Sequence, residues 1–259
     1  MRKALALAAV FGALAWLEHR RPLRARTQPR GRRVAINLAL SGIAALGAGA
    51  LMELVVRRAT AAVERHQLGV TRWVPLPRWM ARAAGTVLLD YSLWHWHRLC
   101  HRVPALWNVH AAHHADLDLD VSTGLRFHVV EMWLSIPFRA AQILVLGIDR
   151  PTLRSWETAL LVAIMFHHSN VRLPERLDAA LARVVITPRL HGIHHSALPL
   201  RFDANLGTLL SWWDMLHGSF ESELAQADLA IGLPRTLGQR SPGVVESLLL
   251  PLSPGMTST

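Results

Sequence analysis

Cysteine is nearly absent: Cys100 is the only one in 259 residues. A disulfide framework is therefore excluded, as is any thiolate cluster such as a zinc ribbon or an iron–sulfur centre. Any metal in this chain must be held by histidine and carboxylates. Charge is scarce too. Charged residues make up 18% of the chain, against about 25% in an average soluble domain. Hydrophobic residues make up 51%, and the mean hydropathy of +0.23 points the same way, to a membrane protein. Lysine occurs only at position 3, so the net charge of +10 rests on arginine. A basic excess can be a nucleic-acid footprint. These arginines sit between apolar runs, where membrane loops keep positive charge, so no nucleic-acid partner is expected.

What is present is a series of apolar runs. Ala4–Leu17 is about two-thirds of the ~20 residues a span needs. No small-residue cleavage site follows it, so it reads as a short or tilted first span rather than a removed signal. Val34–Val56 is the clearest span, and its "SGIAALGAGAL" portion has the small residues that close helix packing in lipid prefers. A third run, Trp79–Trp94, ends in a histidine-rich stretch. Val129–Ile148 and Thr152–Phe166 flank "DRP", a turn signal, and their polar residues suit a shallow hairpin as well as two spans. The loop "EHRRPLRARTQPRGRR" carries seven arginines, which places it in the cytoplasm. The connection Arg57–Arg78 holds five. With that orientation, residues 95–128 and everything after 167 are cytoplasmic, so every histidine-rich segment lies on one side.

The chain has fifteen histidines, and their spacing carries the information. His97 and His101 are four apart. His110, His113 and His114 are offset by three and four, and His191, His194 and His195 repeat that pattern. On a helix such offsets put side chains on one face. Neutral imidazole ligates iron, zinc, copper or nickel. Eight histidines in three groups, with one or two more from "FHHSN", exceed what one metal takes, so two metals are the natural reading. A lone HxxxH is common on solvated helices. Two HxxHH groups plus an HxxxH at one membrane face are not. His95 lies on the helix face opposite His97 and suits packing. His19, His66 and His217 are isolated and suit the surface. Of His167 and His168 at most one points at the metals. His128 stays open between ligand, support and loop. Metal-bound imidazoles give their other N–H to a carboxylate or carbonyl. Asp90, Glu131, Asn170, Asp203, Asn205 and Asp214 are candidates for that role, with Trp94 on the face of His97. For each of them a helix cap or salt bridge explains the residue equally well.

These segments resemble the fatty acid hydroxylase superfamily, also called the sterol desaturase family. "DYSLWHWHRLCHRVPALWNVHAAHHAD" resembles its first two histidine boxes. "RFHVVE" resembles the following Arg-x-His-Pro-x-Glu element, with Val129 in place of proline. "FHHSNVRLP" resembles its His-Ser-Asn segment. "TPRLHGIHHSALPLRFDANLGTLLSWWDMLHGSF" resembles the last box and its trailer, with Leu206 where tyrosine is common and His217 where phenylalanine is common. The resemblance covers about Asp90 to Phe220. It implies an integral-membrane, all-helical, non-haem di-iron oxygenase that uses O2 and two electrons to hydroxylate, or sometimes desaturate, a lipid C–H bond. By position it implies His97, His101, His110, His113, His114, His168, His191, His194 and His195 as ligands, with no catalytic residue beyond them.

The expected architecture is an all-α membrane bundle of four to five apolar helices with a cytoplasmic histidine-rich cap holding two iron ions. One domain spans residues 1–228, with its histidine-box core at 90–220. Residues 229–259 form a membrane-surface segment, "VVESLLLPL", and a disordered tail, "SPGMTST". A bacterial inner membrane is the expected location. The chain has no Rossmann fingerprint, cysteine-ligated cluster or haem module, so a separate electron donor, a reductase, ferredoxin or cytochrome, is implied. Three rivals stand beside a lipid hydroxylase. A desaturase would use the same cofactor. A divalent-metal transporter would place its site near the bilayer midplane, whereas these histidines sit at the ends of apolar runs. A zinc hydrolase needs only three or four protein ligands.

Overall fold

A computed structural model describes residues 2–198, 203–226, 229–236 and 238–253. These residues are all-helical apart from short turns and isolated bridges. α1 (Arg2–Arg20) and α2 (Arg30–His66) are followed by α3 (Arg78–Arg102), α4 (Pro104–His114), α5 (Val129–Leu146) and α6 (Arg150–His168). The short α7 (Glu175–Ala182), α8 (Pro188–His194), α9 (Trp212–His217) and α10 (Val244–Leu249) complete the described chain.

Local chemistry sets the breaks. Val103 is extended before Pro104, which opens α4, because proline disfavours helix in the residue before it and suits a helix's first position. Gly147 ends α5 in the left-handed conformation, at φ 77°. An added Cβ there would lie 2.6 Å from the Leu68 carbonyl oxygen, so only glycine lets these two loops meet. Asp149 then caps α6 by accepting from the Thr152 N–H at 2.8 Å. The "DRP" signal thus marks an α5–α6 hairpin.

Among the described residues, two stretches are long and apolar enough to cross a membrane, Arg30–Arg72 and Val129–Leu146. α1, α3 and α6 do not meet that measure of length and composition, the last two because charged residues and histidines interrupt them. The second span is also longer than its apolar run. Arg57–His66, read in the sequence as connection, continues α2 as helix, because Val56, Ala59 and Val63 keep a buried stripe there. That stripe packs with Leu89 of α3, Ile143 of α5, and Leu153 and Trp156 of α6. Higher up, α2 meets α5 where its small residues lie: Trp133 Nε1 donates to the Gly47 carbonyl at 3.0 Å.

The C-terminal segment is not set apart from the histidine core. Leu250 is buried with Trp107, Ala111, Ala112 and Ala115, on α4 and just after it. Val245, Leu249 and Leu252 are exposed, so one face of this segment packs inward and the other stays open. Of the tail "SPGMTST", only Ser253 lies within the described residues.

Candidate metal centre

Four helix ends converge: the last turns of α3 and α6, and the short α4 and α8. Their histidines gather into two groups. His97, His101, His110, His114 and His194 form one. His113, His168, His191 and His195 form the other. Within each group the ring nitrogens lie within 4.8 Å of one another. Eight of the nine are buried and His97 is half-buried.

Helix geometry explains the division. At 3.6 residues per turn, positions i and i+4 differ by only about 40° around the axis, while i+3 lies about 60° to the other side. In α4 the i, i+4 pair His110/His114 joins the first group and the i+3 residue His113 turns to the second. At α8 the pair His191/His195 joins the second and His194 turns to the first. Each HxxHH therefore serves both groups, and the two motifs do so in opposite senses. His97/His101, again i, i+4, stay together.

The outward ring nitrogens are fixed. Nδ1 of His97 donates to the Leu206 carbonyl (2.7 Å), that of His113 to Arg126 (3.0 Å), that of His168 to Ile164 (2.9 Å) and that of His194 to Ala204 (2.9 Å). A carbonyl accepts only, so each of these nitrogens carries the proton and each Nε2 presents a lone pair inward. His110 Nδ1 donates to Glu131 Oε1 at 2.9 Å. In the second group successive Nε2 atoms, His113 to His168, His168 to His191 and His191 to His195, are 3.0, 2.9 and 3.1 Å apart. Neighbouring ligands on one metal with bonds of about 2.1 Å sit about 3 Å apart. In the first group the Nε2 atoms of His101, His110 and His194 are buried without a hydrogen-bond partner, a condition that costs about 1–3 kcal/mol per group unless something binds there. Burial pushes His113 and His194 down to about 3, with neighbouring histidines adding to the effect. Both therefore stay neutral, the form that ligates a metal.

The family profile described as fatty acid hydroxylase matches residues 82–219, which carry all nine histidines. The chain belongs to the fatty acid hydroxylase family. Among curated proteins it is 31% identical over 170 residues to ornithine lipid hydroxylase OlsE of Rhizobium tropici, a stretch covering 65% of this chain and 49% of that protein. It is 26% identical over 162 residues to the alkylglycerol monooxygenase of Homo sapiens, covering 62% and 34%. It is 28% identical over 166 residues to that of Danio rerio, covering 63% and 35%. The chain thus spans half or less of the length of these relatives. All three are oxidoreductases by name. No solved structure matches the chain significantly.

The other residues singled out in the fatty acid hydroxylase motifs have varied places. Glu131 lies against the centre through His110. Asp214 acts one step back: it accepts from the Leu206 N–H (2.9 Å) and from Trp94 Nε1 (3.0 Å), so it holds the carbonyl that orients His97. Asp90 accepts instead from Trp213 Nε1 at 2.7 Å and Leu210 N–H at 3.1 Å, bracing the α9 region against α3. Asn205, at φ 52°, bonds to Leu190 and Glu221. Asn170 exchanges two bonds with the Arg24 backbone. Asp203 is half-exposed and paired with Arg102 at 2.8 Å, which removes it from the site. So is His128 removed: its Nδ1 caps α5 by accepting from Val130 N–H, and its Nε2 faces the Leu248 carbonyl. His95 packs edge-on against Tyr91 and Trp94. His167 is buried beside the second group, its ring 4.1 Å from that of His191, and is outside both groups.

Sequence reasoning missed two supports. One is the set of backbone carbonyls, which have no sequence signature. The other is a buried ion network behind α4. Arg33 of α2 donates from Nε and Nη2 to both Asp116 oxygens (2.6 and 2.7 Å) and from Nη1 to Asp120 (2.7 Å). Arg126 donates to the Ala112 carbonyl (2.7 Å), Asn37 (2.9 Å) and Ser247 (2.6 Å). The alternating acids of "DLDLD", residues 116–120, were the available signal.

A cavity of about 290 Å³ opens beside the centre. His97, His110, His113, His168 and His191 line one end, and its walls include Leu93, Trp96, Phe127, Phe138, Leu160 and Ile164.

Proposed function

We propose that this chain is a membrane-bound, O2-dependent lipid hydroxylase whose two histidine groups each hold one iron ion. The observation that carries the reading is the juxtaposition of nine inward-facing histidines, divided five and four, with one apolar cavity. His97, His101, His110, His114 and His194 would hold one ion, and His113, His168, His191 and His195 the other. The iron pair supplies the reactivity with O2 that an unactivated C–H bond requires. The protein does the rest. Carbonyls and Glu131 lock the imidazole tautomers. Burial keeps the rings neutral and water out. The apolar walls take a lipid chain and hold one of its carbons against the histidine end. Two electrons per turnover come from a separate ferredoxin-, cytochrome- or reductase-type donor on the cytoplasmic side, which the arginine bias assigns to the centre.

Family membership and the hydroxylase and monooxygenase relatives support hydroxylation of a lipid. The test compares lipid extracts of cells expressing the wild type or His113→Ala. The wild type alone should give a lipid heavier by one oxygen, and the purified protein should contain iron. A product lighter by two hydrogens would make the chain a desaturase. Zinc alone with O2-independent activity would overturn the reading.

A further inference from the structure

A second, smaller cavity of about 190 Å³ lies between α2 and α5. Its α2 wall is Ser41, Ala44, Ala45, Ala48, Gly49 and Met52, whose three- and four-residue spacing puts them on one helix face. Its other wall is Phe127 and Met132, and these two residues also line the cavity beside the histidines. They are the partition between the two spaces. The α2 wall lies within Arg30–Arg72, a stretch long and apolar enough to cross a membrane, and Ala45 and Gly49 are exposed. What surrounds a groove at that place on a spanning helix is hydrocarbon, not water.

The two sides of the partition differ. Phe127 is held: its ring stacks on that of His113, with centroids 5.6 Å apart and planes at 3°. The helices are held too. Besides the bond from Trp133 Nε1 to the Gly47 carbonyl, a Cβ added at Gly47 would lie 2.7 Å from Val129 Cγ2, so α2 and α5 touch there. Met132 is half-buried and carries an unbranched side chain with three rotatable bonds, the apolar type that re-packs most readily. A passage through the partition therefore opens by rotation of Met132 and not by parting the helices.

We propose that the groove between α2 and α5 is the entrance by which a lipid's hydrocarbon chain passes from the bilayer to the histidines, with Met132 as its moving gate and Phe127 as its fixed post. The inference rests on the reading of the larger cavity as the lipid site and assigns the way that site is reached. A chain threaded there passes the Phe127 ring and so runs beside His113.

The test uses the purified full chain in phosphatidylcholine liposomes containing stearic acid with a mid-chain diazirine. After a light flash, peptide mass spectrometry counts adducts on Leu93, Leu160 and Ile164, which line the larger cavity. The wild type should carry such adducts. Ala45→Phe fills the mouth of the groove and should cut them about tenfold, the order expected of overpacking. Met132→Ala removes the gate and should raise them. Leu46→Phe, at a position 88% exposed and outside the groove, should leave them unchanged. Undiminished adducts in Ala45→Phe, an equal fall in Leu46→Phe, or no rise in Met132→Ala would overturn the proposal. So would a wild type without adducts in the cavity, whether or not any variant folds. The outcome is separable from that of the hydroxylase reading, because the labelling needs no metal and no turnover. Gated adducts without any oxygenated product would sink only the hydroxylase reading. An oxygenated lipid made at the wild-type rate by Ala45→Phe would sink only the entrance.

Discussion

His113 and His114 are consecutive in α4, yet their rings stand at 88° with centroids 5.5 Å apart and belong to different histidine groups. Pairs of substitutions can therefore be sorted by group. His113→Ala with His195→Ala strikes one group and should leave about one of the two metals bound per chain. His113→Ala with His114→Ala strikes both and should leave none. Metal analysis of the purified variants checks this. The reverse order would show that the five-and-four division is wrong.

Glu131 and His128 are close in sequence but differ in role. Glu131→Ala removes the acceptor for His110 Nδ1 and should weaken metal retention about 10–100-fold, the usual cost of losing such a support. His128→Ala removes a helix cap and should cost about 1 kcal/mol of stability while metal retention holds. A chelator titration followed by thermal unfolding separates the two. Equal metal loss in both variants would put His128 back in the site.

Arg33 is buried and donates to Asp116 and Asp120. Arg33→Met leaves those carboxylates without their cation, a loss of about 3–5 kcal/mol for a buried pair broken on one side. The unfolding midpoint should fall sharply, and Arg33→Met with Asp116→Asn should recover part of the loss. A midpoint unchanged in the single variant would show that the network contributes nothing.

Glu18 closes α1 just past its apolar run and is fully buried. Burial, and then the nearby Asp120, push its carboxyl up from 4.5 to about 7, against the Val121 and Asn170 N–H groups and Arg30, which favour the charged form. A carboxyl raised on folding stabilises the native state below its unfolded pKa and loses that contribution as pH rises through its folded value. The midpoint of the wild type relative to Glu18→Gln should therefore decline between about pH 4.5 and 7. Thermal unfolding of the pair across that range tests it, and a difference that rises with pH would contradict it.

How much of this was legible in the sequence depends on what each feature needs. The i, i+4 and i+3 offsets of His97, His101, His110, His113, His114, His191, His194 and His195 are local, and they announce a shared site. Which histidine joins which group was not legible, because it depends on how α4 and α8 face each other. The supports of His97, His113, His168 and His194 are backbone carbonyls, identical in every residue. The break at "DRP", where Asp149 caps α6, was readable, whereas Gly147 sat unmarked inside the run Val129–Ile148. The length of α2 was not, because Arg57 and Arg58 look like a loop until Ala59 and Val63 are seen packing in the core. Asp203 shares its segment with true supports but lies half-exposed against Arg102, whereas Asp214 is buried against Leu206 and Trp94.

If the nine histidines serve the proposed hydroxylation, the oxygen inserted into the lipid comes from O2. The direct measurement is mass spectrometry of lipids from cells expressing the chain under 18O2. A lipid gaining one 18O atom is expected with wild-type protein and none with His113→Ala or His194→Ala. A product whose new oxygen comes from water, or whose formation survives both substitutions, would contradict it.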